Sequence, residues 1–566
     1  MSIATNPQTS TADDEPAISV PDSGDAGEGG KLKMIIQLVK KCLGVKDIAS
    51  MRLSLPASLL EPIPNLEYWH YLDRPDLFAA INDSNDPFER MLSVLRFAFT
   101  KDLKFIHGKI CKPYNSVLGE HFRAHWDVVP IAYPDEPTEP PTPQIFTVPA
   151  GTSNGPIETA FVSETDSVRS GKSSKSTRSG LSFVSKPKKS PSTAATSPQQ
   201  PVETNVAAQM SKLSLDGRNS GSSDSLEEQP RLRVIYVTEQ VSHHPPVSAY
   251  YASCPSRNVE MSGIDQISAK VSGTTLRVSP GQYNQGIFIN LTGGFGEGEA
   301  YHITHPVASV NGILRGSFYL TVGDSTIITC SGGRPGHKFR TIIEYKEESW
   351  LGRAHFLVEG VIHSVHDGDT QHEEWTKVKH VPQNRIVAIF DGTWRGHIRW
   401  RRVGAGSYPT AISSVASSPN PSHSQLPTPT IPAASESKAD ISRPGNDEYT
   451  TLIDLSTLQI IPKEVRPLEK QLPHESRKLW QTVTDHLVNK EFSEATKEKM
   501  AIEQRQRDDA AERKRKGIEF VPRYFEQDVS RGYPTLTPEG WKAVEEELEE
   551  NSAYCIEGTQ GAKLAA

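Results

Sequence analysis

The run Glu239-Gln240-Val241-Ser242-His243-His244-Pro245-Pro246 sets two histidines side by side after a short apolar stretch, Arg233 to Thr238. That stretch reads as a strand, and the prolines stop it because proline lacks the amide that would continue the ladder. Consecutive strand residues face opposite ways, so the pair is poorly suited to chelating one metal ion. Imidazoles become donors near neutral pH, which suits them to an anion at the mouth of a strand. A second stretch runs from Lys109 to Glu120 and holds Lys112-Pro113 and Asn115; by itself it is a turn. In a third, Lys499, Glu503 and Arg507 recur every four residues. That spacing puts them on one side of a charged helix, expected over Ser493 to Lys516, where such a trio is ordinarily a solvated ion-pair ladder.

All three stretches resemble signatures of the oxysterol-binding-protein-related lipid-transfer family, in the family's order, with the octapeptide matching letter for letter. Lys112-Pro-x-Asn115-x-x-Leu-Gly-Glu120 is similar to the second signature, and Lys499-x-x-x-Glu503-x-x-Gln506-Arg507 followed by Phe520-Val-Pro-Arg-Tyr-Phe525 to the C-terminal one. The form expected is a short fungal type without a pleckstrin-type domain. The resemblance implies a barrel holding one lipid under an N-terminal lid. It also implies that His243, His244 and Arg507 bind the inositol phosphate of phosphatidylinositol 4-phosphate, while Lys112, Asn115, Lys499 and Glu503 hold the rest of that headgroup.

The chemistry is coherent. A phosphomonoester carries close to two charges, and arginine supplies a planar fork where lysine supplies a point charge. Glu503 would repel phosphate, so its expected task is to orient Lys499 and Arg507. The segment Leu55 to Trp69 resembles the phosphatidylserine-carrying branch. That implies a serine headgroup against Leu55, with Lys112 and Asn115 shared and Ser268 a further contact. Exchange of phosphatidylserine for phosphatidylinositol 4-phosphate between endoplasmic reticulum and plasma membrane is therefore the expectation, with a sterol/phosphatidylinositol 4-phosphate exchanger or a non-transporting phosphoinositide sensor as the alternatives.

Totals agree with a carrier. Apolar residues make up 36% of the chain and the net charge is -8, which excludes charge-driven nucleic-acid binding and makes any attraction to anionic membrane surfaces local. The cysteines Cys42, Cys111, Cys254, Cys330 and Cys555 are odd in number and in no metal-ligand spacing, as expected of a reducing, cytoplasmic setting. No apolar run approaches the roughly 20 residues of a spanning helix. Nucleophile elbow, P-loop and His-Glu-x-x-His motifs are lacking, His372-Glu373 having no second histidine. Neither catalytic residue, cofactor nor metal is expected.

The elements that must position these groups divide the chain as follows. Residues 1–30 read as a disordered tail and 31–135 as lid, helical scaffold and the start of the lipid-binding domain. Within that part Leu32, Ile35, Ile36, Val39 and Leu43 lie opposite Lys33, Gln37, Lys40 and Lys41 on a basic amphipathic helix. Asp86-Pro87 looks like a helix start, followed by an apolar stripe of Phe88, Met91, Leu92, Leu95 and Phe99. Residues 136–229 and 404–446 are Ser/Pro-rich and read as a disordered insertion and linker.

Between them, 230–403 alternates apolar and polar residues with few helical signals. This predicts a mostly β fold, a large near-closed antiparallel barrel that encloses a cavity, since closure removes exposed edges, and the resemblance implies that the cavity is a lipid tunnel. Asp391-Gly392 is expected to turn one of its hairpins. Residues 447–566 are expected to form C-terminal helices, including a stripe of Leu479, Val483 and Leu487.

Overall fold

The computed structural model describes residues 18–19, 28–49, 51, 53–107, 111–135, 139–143, 230–313, 318–336, 338–348, 354–366, 368–403 and 449–558. Most of the expected tail, all but 139–143 of the expected insertion, and the whole expected linker lie outside the described residues. The described residues belong to one unit, drawn from both sides of the insertion.

Strands dominate it. A parallel pair joins β1 (Ile18–Ser19) to β2 (Leu53–Ser54). The main sheet begins before the insertion with β3 (His121–Val128) and continues through β4 (Leu232–Ser242), β5 (Val247–Cys254) and β6 (Val259–Asp265). A separate 4-stranded sheet is built from β7 (Ile267–Ser272), β8 (Thr275–Pro280), β11 (Val307–Asn311) and β12 (Tyr319–Gly323). The main sheet takes up β9 (Ile287–Leu291), β10 (Glu299–Ile303), β13 (Ser325–Gly332), β14 (Lys338–Tyr345), β15 (Leu357–Val365), β16 (Ile386–Thr393), β17 (His397–Arg402) and, beyond the linker, β18 (Thr450–Asp454). Its 12 strands are antiparallel in the order β18-β17-β16-β15-β14-β13-β10-β9-β6-β5-β4-β3. The sheet thus extends past 230–403 at both ends. The insertion falls between two neighbouring strands, β3 and β4.

Strands β18 and β3 stand at opposite ends of that order, so hydrogen bonding leaves the sheet open along one seam rather than strictly closed. The chain after β18 crosses the seam. Leu455 N–H donates to Gly396 O, Glu464 exchanges backbone bonds with His125, and His121 N–H donates to His474 O. A bare edge would invite pairing with another chain, and this crossing covers it.

The helix α1 (Glu28–Lys41) keeps Lys33, Gln37, Lys40 and Lys41 exposed, as its pattern predicts. Its inward face differs from the expected one: Met34 and Cys42 are buried and Leu43 is 54% exposed. Helix α2 (Pro87–Thr100) begins as predicted, with the Asp86 carboxylate accepting Phe88 N–H at 2.8 Å. Its stripe is buried, but so is every other residue from Arg90 to Thr100, because the sheet wraps it. Arg90 Nε donates to Glu299 of β10 at 2.8 Å, and Arg96 Nε to Leu452 O of β18 at 3.1 Å. One helix therefore ties distant strands across the sheet's inner face.

Two local expectations change. Asp391-Gly392 does not form a turn but lies inside β16, and the chain reverses at Trp394 to Gly396. A Cβ on Gly392, at φ 150°, would sit 2.3 Å from His397 O, so this glycine serves close strand approach. In the C-terminal part, α3 (Gln481–Val488) buries Val483 and Leu487, and α4 (Phe492–Lys516) is the long charged helix. α5 (Pro538–Leu548) packs on β3 and β4. No helix among the described residues is long and apolar enough to cross a membrane.

Candidate functional site

The octapeptide closes the β4–β5 hairpin, with His243-His244-Pro245-Pro246 as its turn. The Lys112–Glu120 stretch enters β3, whose first residue pairs with Glu239. Gly119 N–H donates to Gln240 O at 2.9 Å and Gln240 N–H to Glu120 O at 2.8 Å. Two signatures distant in the chain are therefore adjacent rungs of one ladder. The third arrives through Glu239, whose buried carboxylate accepts the backbone N–H groups of Arg523 (2.7 Å) and Tyr524 (2.6 Å). Burial pushes this carboxyl up, against the pull of those bonds.

Glu120 does similar work. Its carboxyl accepts from Val117 N–H (3.0 Å), Ser476 Oγ (2.7 Å) and Trp480 Nε1 (2.9 Å), and burial pushes it up to about 7. Both glutamates stand within the signatures, where their sequence context marks neither for this task. Apart from Val117, their partners lie hundreds of residues away, so no local pattern carries the signal.

Among the candidate ligands, Lys112 Nζ donates to Asn115 Oδ1 (2.7 Å) and Pro113 O (2.9 Å). Burial and the Lys499 ammonium push Lys112 down to about 8, with Glu503 acting the other way, so α4 and the Lys112 turn share one electrostatic neighbourhood. Lys499 is 4% exposed and donates to Glu503 Oε1 at 2.6 Å, the orienting bond expected of Glu503. Arg507 differs from expectation. It is half-buried and its guanidinium donates to Gln504 Oε1 (3.0 and 2.6 Å), while Glu503 Oε1 accepts from Lys499. His243 and His244 are half-buried with rings edge to face, centroids 4.5 Å apart.

Leu55 packs into an apolar cluster with Tyr114, Val117, Ala495 and Ile502, which joins its segment to the Lys112 turn and to α4. Ala57 N–H donates to Thr496 Oγ1 (3.2 Å) and Glu61 N–H to Lys112 O (3.0 Å). Ser268 stands on β7 opposite Ser279, in the smaller sheet. Its neighbour Ala269 is held by Asp47 and Ile48, just after α1. The structure thus joins the segments carrying Leu55, Lys112, Asn115, His243, His244 and Lys499, while Ser268 belongs to the part that anchors α1. Two lysines, an amide, a histidine pair and one orienting carboxylate suit a multiply charged anion.

A second ionic group lies behind β3. Ligand atoms of His125, Asp127 and Glu464 fall within 4.8 Å of one another. The arrangement is one of ion pairs: Arg233 grips Asp127 through two bonds of 2.7 Å, and His125 Nδ1 meets Glu547 at 2.9 Å. Burial disfavours the imidazolium, but the carboxylates of Glu464 and Glu547 outweigh it and push His125 up to about 9.

The sequence profile of the oxysterol-binding protein family matches residues 34–191 and 225–552. Oxysterol-binding protein-like protein 1 of Schizosaccharomyces pombe is 37% identical over 551 residues, covering 92% of each chain. Human oxysterol-binding protein-related protein 10 is 25% identical over 493 residues, 86% of this chain but 45% of that protein. Among solved structures, the Osh1 ORD domain in complex with cholesterol superposes with a TM-score of 0.51 at 17% identity, over 92% of this chain and 90% of the other, a likeness of fold. On the profile match and the fission-yeast relative, this chain belongs to the oxysterol-binding protein family of lipid-transfer proteins.

Proposed function

We propose that the protein carries phosphatidylserine and phosphatidylinositol 4-phosphate in turn between the endoplasmic reticulum and the plasma membrane, visiting each from the cytoplasm. The observation that supports this most is the junction of three signatures: the hairpin bearing His243 and His244 bonds to the Lys112 stretch, and Lys112 feels the charge of Lys499. In this reading His243, His244 and Arg507 hold the inositol phosphate, and Lys112, Asn115 and Lys499 hold the rest of the headgroup, with Glu503 orienting Lys499. The Leu55 segment, bonded to both Lys112 and α4, is the platform for the serine headgroup. Each methylene exposed to water costs about 0.8 kcal/mol, so the acyl chains travel inside the sheet and α1 is the cover.

Transfer between donor and acceptor vesicles, with labelled phosphatidylserine, sterol and phosphatidylinositol 4-phosphate in parallel, tests the reading. Phosphatidylserine and the phosphoinositide should move in opposite directions and accelerate one another. Movement of sterol without phosphatidylserine would transfer the assignment to sterol exchange. Release of free phosphate from the phosphoinositide would replace carriage by catalysis.

A further inference from the structure

The last turn of α4 carries Arg513, Lys514, Arg515 and Lys516 before Gly517 ends the helix. Gly517, at φ 66°, donates to Lys514 O, and Ile518 N–H donates to Arg513 O. This is a Schellman ending, in which the residue after the glycine ordinarily packs back on the residue three from the helix end. Here that residue is Arg513, whose guanidinium stacks 5.8 Å from the Phe520 ring instead, and Ile518 is left 57% exposed. Three residues on, Val521 is 73% exposed.

The backbone that carries these apolar side chains is tied down at neighbouring residues. Phe520 between them abuts Gly119, where a Cβ would meet its ring at 3.2 Å, and Arg523 and Tyr524 are bonded to Glu239. The segment therefore lies across both signatures that lead to the histidine turn. Between 512 and 523 five basic residues stand against two acidic ones, in a chain whose net charge is -8. Glu512 pairs with Lys516 at 2.6 Å and, more loosely, with Arg515, leaving the stretch positive.

We infer that Lys514, Arg515, Lys516, Ile518, Val521 and Arg523 form a docking surface for an anionic bilayer, independent of the N-terminal helix. Its basic turn meets the headgroups and its two apolar residues insert between them. The inference deepens the exchange reading and rests on it for the direction from which a lipid enters. Rigid attachment to the signature residues means that docking here presents the headgroup site to the bilayer. A basic flank with an apolar tip is the chemistry of interfacial binding, where charge and insertion add.

The test compares the full chain with Lys514→Glu/Arg515→Glu/Lys516→Glu and with Ile518→Ser/Val521→Ser. Flotation uses vesicles of phosphatidylcholine alone or mixed with phosphatidylglycerol, an anionic lipid that is neither proposed cargo. A water-soluble short-chain phosphatidylinositol 4-phosphate, measured by calorimetry, reports the headgroup site without a membrane. Each basic group near an anionic surface strengthens binding about fivefold, so reversing three should weaken binding to the mixed vesicles by about a hundredfold or more. The serine pair should weaken it less, added salt should weaken the wild type, and soluble-ligand binding should be unchanged in both variants.

Wild-type flotation by the charge-reversed chain would overturn the proposal. So would an equal loss of soluble-ligand binding, which would make the segment part of the headgroup site. Loss of vesicle binding in the variants, with no soluble-ligand binding even in the wild type, would leave the surface standing and sink the exchange reading.

Discussion

Glu239 and the histidines four and five residues later belong to one octapeptide, yet replacing them should have opposite consequences. The Glu239 carboxylate is buried and accepts two backbone N–H groups, at 2.7 Å from Arg523 and 2.6 Å from Tyr524. Hydrogen bonds to a charged group contribute about 1.5–3 kcal/mol each, and alanine would leave the buried Tyr524 amide and the part-buried Arg523 amide without their acceptor. Burial already holds this carboxyl above its usual range, which marks a desolvation cost that offsets part of the gain. Glu239→Ala should therefore cost about 3 kcal/mol, toward the lower end of the sum of two bonds. Glu239→Gln keeps an amide oxygen as acceptor and should cost roughly half as much.

His243 and His244 lie at a half-buried turn, where replacement by alanine should cost under about 1 kcal/mol. Urea unfolding followed by tryptophan fluorescence measures all three, with phosphoinositide extraction assayed on the same preparations. The expected pattern is destabilisation without selective loss of binding for Glu239→Gln, and loss of binding without destabilisation for the histidine pair. A Glu239→Ala chain within about 0.5 kcal/mol of wild type, the range of an ordinary surface change, would refute the assignment of this carboxylate as a tie to the C-terminal segment.

Lys112, pushed down to about 8 by burial and Lys499, should take up a proton as a phosphate-bearing headgroup arrives. Calorimetry at pH 8 in buffers of different ionisation enthalpy should show that uptake, Lys112→Met should reduce it, and wild-type affinity should fall as pH rises through 8. His125 is held up at about 9 against an unfolded value near 6.5. Its stabilisation is fully present below pH 6.5 and is lost as pH rises through about 9; the difference in urea stability between wild type and His125→Gln should shrink across that window. Gly360 on β15 leaves no room for a methyl group, since a Cβ would lie 2.0 Å from the Phe390 ring and 2.4 Å from Ile342 O. Gly360→Ala should cost about 1–3 kcal/mol or more in thermal or urea unfolding, by overpacking against backbone.

The parts of the site that could be read from the chain are those whose chemistry is contiguous: the histidine pair, the Lys112–Asn115 turn, and the four-residue step from Lys499 to Glu503. Strand alternation and the Asp86-Pro87 helix start are likewise local and reappear in the structure. What could not be read depends on distant partners. Glu239 and Glu120 look like ordinary signature letters until residues 523–524 and 476–480 come to rest against them. Helix α2 shows a one-sided apolar stripe, yet Arg90 and Arg96 are also buried because Glu299 and the Leu452 carbonyl receive them. Asp391-Gly392 carries a turn composition, but strand contact with His397 outweighs local turn preference. Arg507 sits at the expected spacing and turns to Gln504, a choice between neighbouring acceptors that spacing does not decide.

The central claim is that residues from three separate stretches meet around one phosphorylated headgroup. Extraction of radiolabelled phosphatidylinositol 4-phosphate from vesicles by the wild-type chain and by His243→Ala/His244→Ala tests it most directly. The account predicts that wild type removes close to one lipid per protein, while the folded double variant removes none and still binds phosphatidylserine. Equal extraction by the two proteins, or none by either, would contradict it.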